Sequence, residues 1–400
     1  MLKKFLSACL LVWIFLFAQV VSATDIQSIE DFSAQYYAKA KERAFEFVEL
    51  RTYSDHGTHH AALVAVKSLE AADAIERAGL GNPFYSSIDR KELRIAAYMH
   101  DTGMDGGTFK TYTDGKVLRK DHSLNSAIHV LENRAYIASL GVNVDAVALD
   151  CMGHSEGHSG VRDLTSYEQW TDCFNRIDAA VELYNKKYPA AQIYFDKSTW
   201  TNGETYKNKQ GVEVYKFNRE TLARSAATIA ALRLGDANRE ESQFPYTLGG
   251  ERIEIDFDSY ISPAKNWQKE IKRAKIFIVN EKGDRTSLLS GIDDNGYGRM
   301  YMSGEGNLSM SCTYNPDTQA VREVVRILHG KSFPLSTQNC IEDRLGELDT
   351  MKKFPVEAHI QIVGDFSNND KKKISRMYSR YCRDAQRKHQ FPVTLEFVKE

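Results

Sequence analysis

Residues 91–107 read KELRIAAYMHDTGMDGG, an apolar helical pattern that ends in an adjacent histidine and aspartate. Its apolar spacing predicts a helix whose inner face carries Leu93, Ala96 and His100. Asp101 follows at the end of that helix, just before a glycine-containing segment. Adjacent helical residues are about 100 degrees apart, so both polar side chains can reach one point between helices. A carboxylate is costly to bury there unless it binds a cation or a hydrogen-bond donor.

Two other predicted helices place a polar side chain in line with an apolar stripe. One ends near Gly79 and carries His60 on its inner face. The other, ETLARSAATIAALRLGD at residues 220–236, has Asp236 at the last position of its stripe. Both helices therefore aim a side chain of the metal-ligand type into a helical interior.

The histidines cluster in one part of the chain. Eight of the eleven fall between His56 and His158. Neutral imidazole is the commonest metal ligand, so such a cluster among carboxylates indicates a metal site. His122 is predicted at or near the start of a helix that ends at Gly141. His154 is predicted at the C-terminal end of another helix, VDAVALDCMGHSEGH.

These positions resemble the HD-domain superfamily of metal-dependent phosphohydrolases, over roughly residues 35–245. The adjacent histidine and aspartate, with apolar helix before and glycine after, are the most specific part of the resemblance. It implies a helical bundle and four ligands for a primary metal, which are His60, His100, Asp101 and Asp236. It also implies that Asp101 bridges to a second metal where one is present.

The resemblance further places His122 and His154 where dinuclear members have two more histidines. This gives six candidate ligands for one or two divalent ions, with Mn, Fe, Zn, Ni, Co and Mg not distinguished. Contact with substrate is the alternative for these two histidines. Members with paired histidines would have the second at Ser155, and the GYP signature of cyclic-dinucleotide phosphodiesterases is absent. These departures argue against that substrate and leave the second metal open.

The expected activity is hydrolysis of a phosphate ester, in a nucleotide or another small phosphorylated compound. Divalent ions held by imidazole and carboxylate keep open positions for water and a phosphoryl oxygen. Asp101 and His122 are the candidate catalytic residues, with Asp101 as the base that accepts a proton from the attacking water, in keeping with the superfamily. Arg119 and Lys120 are candidate phosphate contacts, and a solvated surface pair is their alternative.

Two alternatives remain for the whole site. Mixed-valent di-iron oxygenases of the same superfamily use the same six-ligand series. A non-catalytic sensor or binding protein, stabilised by its metal, is the other alternative. His56, His59 and His158 are expected beside the ligands or exposed, and His129 is expected to be packed or on a helix surface.

The N-terminus has the pattern of a secretory signal peptide. Lys3 and Lys4 precede an apolar run through Ala18, and compact residues follow as far as Ala23. This run is shorter than a membrane span requires. We therefore expect residues 1–23 to be cleaved, leaving a periplasmic or secreted chain with no stable membrane span. Five cysteines follow without a CxxC pair, so a cysteine-based zinc site is not expected.

The predicted fold is a mainly α, HD-type helical bundle over residues 24–250, followed by a smaller α+β domain over residues 251–400. Aromatic residues alternate around Asn202-Gly203 in residues 184–217, which predicts an inserted β-hairpin.

The second domain is predicted from alternating strand patterns and amphipathic runs. ERIEIDFD, AKIFIVN, GRMYMSG and NLSMSCTYN are typical of strands, and KNWQKEIKRA of a helix. TQAVREVVRILHG, residues 318–330, is predicted as an amphipathic helix. The chain then closes with a strand, a long polar helix and a last strand.

The charge of the chain limits its partners. Its 52 basic and 54 acidic side chains give a net charge of -2. No bulk positive field is available to hold a nucleic-acid duplex. A small phosphorylated substrate is the expected partner, and the oligomeric state is not predicted.

Overall fold

The computed structural model describes most of the chain between residues 29 and 399. The described ranges are 29–47, 50, 57–79, 87–155, 160–237, 251–257, 274–287, 308–328, 335–349 and 355–399. The predicted signal peptide, helix 265–273 and strand 298–304 lie outside these ranges. In the described ranges, no helix is both long and apolar enough to cross a membrane.

The N-terminal region is helical. After helix α1 at residues 29–46, the chain forms α2 (Thr58–Ala78), α3 (Arg90–Met99), a 3-10 turn (Thr102–Asp105), α4 (Gly115–Glu132), α5 (Arg134–Ser139), α6 (Val144–Gly153), α7 (Tyr167–Lys187) and α8 (Arg219–Asp236). Several of these helices have an N-cap residue whose side chain accepts hydrogen bonds from the free backbone N–H groups of the first turn. These caps are Asp89, Asp114, Asn143, Ser166 and Asn218.

Helix α4 begins earlier than the sequence predicted. It starts at Gly115, where Asp114 accepts hydrogen bonds from Lys116 N and Val117 N. His122 therefore lies in the interior of α4, and the prediction of a start at or near His122 is wrong. The helix is two turns longer at this end because the aspartate supplies the cap.

The β-hairpin is confirmed, but its turn lies elsewhere. Strand β1 (Thr201–Lys207) pairs antiparallel with β2 (Glu213–Phe217), and residues 208–212 connect them. Asn208 closes this connection by accepting from Gln210 N and Val212 N. Asn202-Gly203 instead forms an irregularity within β1, where Gly203 adopts a φ of 84°. The hairpin contacts α7, where Tyr215 N of β2 donates to Thr171 Oγ1. All residues of β1 after Thr201 are exposed.

The C-terminal region is α+β, as predicted. Strands β3 (Arg252–Phe257), β4 (Ala274–Val279) and β5 (Arg285–Ser287) form one antiparallel sheet. A second sheet contains, in order, β6 (Leu308–Asn315), β7 (Ala320–Leu328), β8 (Val356–Val363) and β9 (Val393–Val398). Strands β6 and β7 are antiparallel, and β7, β8 and β9 are parallel. Helices α9 (Leu335–Asp349) and α10 (Asn368–His389) connect the parallel strands.

Residues 318–330 do not form the predicted amphipathic helix, because 320–328 are strand β7 at the centre of the sheet. Its buried face alternates Val321, Glu323, Val325 and Ile327. Glu323, a charged residue at one of these buried positions, interrupts the apolar alternation in the sequence, so the strand was not predicted. Glu323 is tolerated there because Arg344 on α9 pairs with it at 2.9 Å, with both side chains fully buried.

This sheet lies against α2, the helix that carries the candidate ligand His60. Lys67 Nζ on α2 donates to Met310 O on β6 at 3.0 Å. One connected cluster of buried apolar side chains includes Val64 and Ile75 of α2 together with Met310 and Val325 of the sheet. The sheet therefore supports α2, the helix that carries His60.

Candidate metal centre

Two groups of ligand-type side chains come together at the centre of the helical region. The first pocket consists of His60, His100, Asp101 and Asp236. His60 Nε2 lies 3.2 Å from Asp236 Oδ1, and His100 Nε2 lies 3.2 Å from Asp101 Oδ2 and 3.6 Å from Asp236 Oδ1. Four ligand atoms from α2, α8 and the end of α3 therefore face one another.

The second pocket consists of Asp101, His122 and His154. Asp101 Oδ1 lies 3.1 Å from His122 Nε2 and 3.4 Å from His154 Nε2. The two Nε2 atoms are 3.0 Å apart. Asp101 thus presents Oδ2 toward the first pocket and Oδ1 toward the second. The structure brings all six candidate ligands together.

The tautomers of three histidines follow from their outer hydrogen bonds. His100 Nδ1 contacts Ala97 O, His122 Nδ1 contacts Arg119 O and His154 Nδ1 contacts Cys151 O, each at 2.6 Å. A carbonyl only accepts, so each Nδ1 carries the proton and donates it. In the neutral ring, the lone pair then lies on Nε2, which faces the pocket.

This arrangement fits a cation. In the second pocket, the Nε2 lone pairs of His122 and His154 and one carboxylate oxygen of Asp101 converge within 3.0 to 3.4 Å. Acceptors this close in a buried site repel one another unless a donor, a proton or a cation lies between them. Arg119 Nη1, 2.9 Å from His122 Nε2, is one such donor, and an ion bound by all three acceptors would replace it there. The donor set of imidazole and carboxylate suits divalent transition metals.

Local chain geometry explains why two of these histidines point inward. His100 and His154 are the C-cap residues of α3 and α6. The carbonyls of a last helical turn lack partners in their own helix. The His100 ring donates to Ala97 O and the His154 ring donates to Cys151 O. These bonds fix each ring so that its Nε2 faces the other candidate ligands.

The two pockets differ in charge. Burial opposes protonation of His100, but the carboxylates of Asp101 and Asp236 outweigh it and raise its pKa well above the ordinary value. Burial alone would raise the pKa of the Asp236 carboxyl, but hydrogen bonds from His100 and His60 hold that pKa well below its usual range. By contrast, burial and the nearby Arg119 cation lower the pKa of His122 to about 4. The second pocket therefore offers a neutral imidazole, which is the metal-binding form.

Three glycines let the helices approach closely enough for these contacts. A Cβ on Gly235, next to Asp236, would lie 2.7 Å from Val64 O of α2. A Cβ on Gly103, two residues after Asp101, would lie 2.1 Å from His122 O. A Cβ on Gly153, before His154, would lie 2.4 Å from Ile229 of α8. These three contacts between elements thus depend on a missing side chain.

Arg233 is a functional neighbour that the sequence did not assign. Its buried guanidinium donates to Gly153 O through Nε at 2.9 Å and Nη2 at 2.6 Å, and also to Val161 O. It therefore ties α8 to the C-terminal end of α6, beside His154. Its position one turn before Asp236, in the otherwise apolar segment 229–235 of α8, was the signal that could have identified it.

Asp236 is the most exposed of the six candidate ligands. The Asp236 side chain is 27% exposed, whereas the other five ligands are at most 3% exposed. Arg119 is half-buried, and its Nη1 lies 2.8 Å from Nδ1 and 2.9 Å from Nε2 of His122. Lys120 is exposed on α4. Of the two predicted phosphate contacts, the structure brings Arg119 to the centre.

The remaining histidines of the cluster are not ligands of either pocket in the described residues. His59 is exposed. His129 is packed, and it bonds Asp105 and Glu132. His56 and His158 lie outside the described residues. Comparisons of the chain with known protein families, curated proteins and solved structures found no match.

Proposed function

We propose that the protein is a metal-dependent hydrolase of phosphate esters with two ions, one in each pocket. One observation carries the proposal. The single carboxylate of Asp101 has one oxygen in each of two buried groups of converging nitrogen and oxygen acceptors. A shared carboxylate between adjacent ion positions is the arrangement that two-metal hydrolysis requires.

The ligands also restrict the metal. Histidine and carboxylate together suit Mn, Fe, Co, Ni and Zn, whereas Mg prefers oxygen ligands and several waters. With four histidines among six ligands, Mg is the poorest fit. We expect a transition metal in both pockets.

Ions held by the two groups of ligands would supply positive charge to a phosphoryl oxygen and would lower the pKa of a coordinated water. Asp101 accepts the proton of the attacking water through a carboxylate oxygen. His122 stays neutral because its pKa is about 4, and it keeps its lone pair directed into the second pocket. Arg119 lies beside His122 and orients a phosphoryl oxygen through its charged N–H groups. The substrate enters past Asp236, the most exposed ligand.

The substrate we propose is a small phosphorylated compound, because five of the candidate ligands are at most 3% exposed and Asp236 is 27% exposed. A secretory signal at residues 1–23 would place this activity outside the cytoplasm. Cleavage of that segment on export is part of the proposal and is tested by N-terminal sequencing of the exported chain.

The decisive experiment measures phosphate release by the metal-loaded chain from a panel of phosphomonoesters and phosphodiesters. Replacing Asp101→Asn removes the charge shared by both pockets at constant shape. We expect hydrolysis to fall by about 100-fold or more, with circular dichroism unchanged. Glu182→Gln, an exposed carboxylate on α7, is the matched control and should keep full activity. Full activity in Asp101→Asn, or no hydrolysis by a chain that carries two ions, would reject the proposal.

A second candidate, an iron-dependent oxygenase, is favoured by the composition of the second pocket. Two imidazoles and one carboxylate, almost fully buried, form a donor set that suits iron. This candidate predicts iron as the dominant element and consumption of dioxygen with substrate. Two ions without hydrolysis and without dioxygen uptake would leave a non-catalytic metal-stabilised protein.

A further inference from the structure

Helix α4 carries a stripe of four polar residues at helical spacing. His122, Asn125, Ser126 and His129 occupy positions i, i+3, i+4 and i+7, so they share one face. All four are buried. The first is a candidate ligand of the second pocket, and the function proposed above uses none of the other three.

Two members of the stripe hold the turn that follows Asp101. Gly103 N donates to Ser126 Oγ at 2.8 Å, and Asn125 Nδ2 donates to Gly103 O at 3.1 Å. Tyr112 OH donates to Asn125 Oδ1 at 3.0 Å, which fixes the orientation of this amide. The 3-10 turn is therefore bonded to α4 through both the N–H and the C=O of Gly103.

The fourth member, His129, makes the charged contact. Its Nε2 lies 2.8 Å from Asp105 Oδ1, at the end of the turn, and its Nδ1 lies 2.9 Å from Glu132 Oε2. Both ring nitrogens face carboxylates, so both carry protons and the ring is an imidazolium. Asp105 Oδ1 also accepts from Gly107 N at 2.8 Å, and Thr108 donates to Glu132.

These bonds control one spacing in the centre. The turn continues directly from Asp101, and α4 carries His122, so the distance between the turn and α4 sets the Asp101 to His122 separation of 3.1 Å. In the first pocket, by contrast, the Asp236 to His60 contact depends on α2 and α8, which meet at Gly235.

We propose that His129 is a positioning residue for the second ion, acting through the spacing between the 3-10 turn and α4. It bonds Asp105 and Glu132 and touches neither pocket directly. The inference rests on the proposed function only in requiring an ion in the second pocket. It predicts that loss of His129 weakens one of two ion sites.

The test uses the full chain and titrates Mn²⁺ alone, with two readouts. Isothermal titration gives the two affinities, and the electron paramagnetic resonance spectrum separates a coupled ion pair from a single ion. In His129→Gln, we expect the second ion to bind about 10-fold to 100-fold more weakly. The first ion should bind within about threefold of its original affinity, and the coupled spectrum should disappear.

His389 provides a matched control. It is also a buried histidine between two carboxylates, 2.8 Å from Asp349 Oδ2 and 3.3 Å from Glu342 Oε2, but it belongs to the C-terminal sheet region. His389→Gln removes the same kind of bridge and should leave both Mn²⁺ affinities unchanged. Loss of the second ion in both variants would overturn the inference, because the effect would then be a general loss of stability.

Asp105→Asn serves if His129→Gln does not fold. It keeps the shape of the carboxylate and removes its charge. We expect it to lower the affinity for the second ion, as His129→Gln does. Unchanged binding of both ions in either folded variant, or a wild-type chain that binds one ion only, would overturn the inference. A chain that binds two ions without hydrolysing phosphate esters would reject the proposed function and leave the role of His129 intact.

Discussion

The first pocket and the second pocket share Asp101, yet they are charged differently. The first contains two carboxylates, and these raise the pKa of His100 well above its ordinary value despite burial. The second contains one carboxylate and two imidazoles, and burial with Arg119 lowers the pKa of His122 to about 4. The first pocket attracts positive charge, whereas the second presents the lone pair of the neutral His122 imidazole. We therefore expect the first pocket to bind its ion more tightly.

The largest expected effect comes from separating the two helices of the first pocket. In Gly235→Ala, the new Cβ would lie 2.1 Å from Ser68 Oγ and 2.7 Å from Val64 O, so α2 and α8 must move apart. We expect the ion of the first pocket to be lost and the free energy of unfolding to fall by about 3 kcal/mol. Elemental analysis and urea titration measure the two effects.

The control for this change is Gly346→Ala on α9, where no atom lies within 4 Å of the new Cβ. Alanine in a helix is more favourable than glycine by about 0.5 to 1 kcal/mol. A gain of that size in Gly346→Ala, together with a loss in Gly235→Ala, would show that close approach causes the loss. A stable Gly235→Ala chain with both ions would contradict the role given to this crossing.

The reverse pattern is expected from Gly103→Ala. Its Cβ would lie 2.1 Å from His122 O and 2.5 Å from Ser126 N, which pushes the 3-10 turn away from α4. The first ion should remain and the second should be lost, with a loss of stability of about 2 kcal/mol. Counting ions per chain in the two glycine variants shows whether the pockets fail separately. Loss of both ions in both variants would mean that they form one unit.

Sequence periodicity located three of the candidate ligands, because each of these three continues the apolar face of its own helix. His122 and His154 were assigned only through the family resemblance, and metal binding by all six residues stays a prediction. His60, His100 and Asp236 were identified from the residues around them in the chain. The contributions of Gly235 and Arg233 were missed because they depend on which helices cross, and no local pattern contains that information. The buried pair of Glu323 and Arg344 similarly hid strand β7, since its two charges come from separate segments.

The pH dependence of stability tests the α4 contacts through the comparison of the original chain with His129→Gln, because His100 contributes to the pH dependence of both chains. Burial disfavours the charged form of His129, but Asp105 and Glu132 outweigh it and raise its pKa from 6.5 to about 9. A raised pKa in the folded chain stabilises it fully below pH 6.5, and this contribution is lost as the pH rises through about 9. The free energy of unfolding should therefore fall by up to about 3 kcal/mol over that interval.

Urea titrations of the metal-free chain at several pH values between 6 and 10 measure this fall. His129→Gln should show a smaller slope over the same interval, because its side chain does not titrate. An equal slope in both chains would assign the pH dependence to other groups and would contradict a charged His129.

The smallest expected effect lies at the edge of the second pocket. Arg119 contacts the ring of His122 and offers N–H groups to a phosphoryl oxygen, but it binds no ion. Arg119→Gln should lower kcat/KM for a phosphate ester by about tenfold, the size of one lost charged hydrogen bond, and leave two ions per chain. Lys116→Gln, an exposed cation on the same helix, is the control and should have little effect. A lost ion in Arg119→Gln would instead make this arginine part of the pocket, and the contrast between a charged first pocket and a neutral second pocket would then require revision.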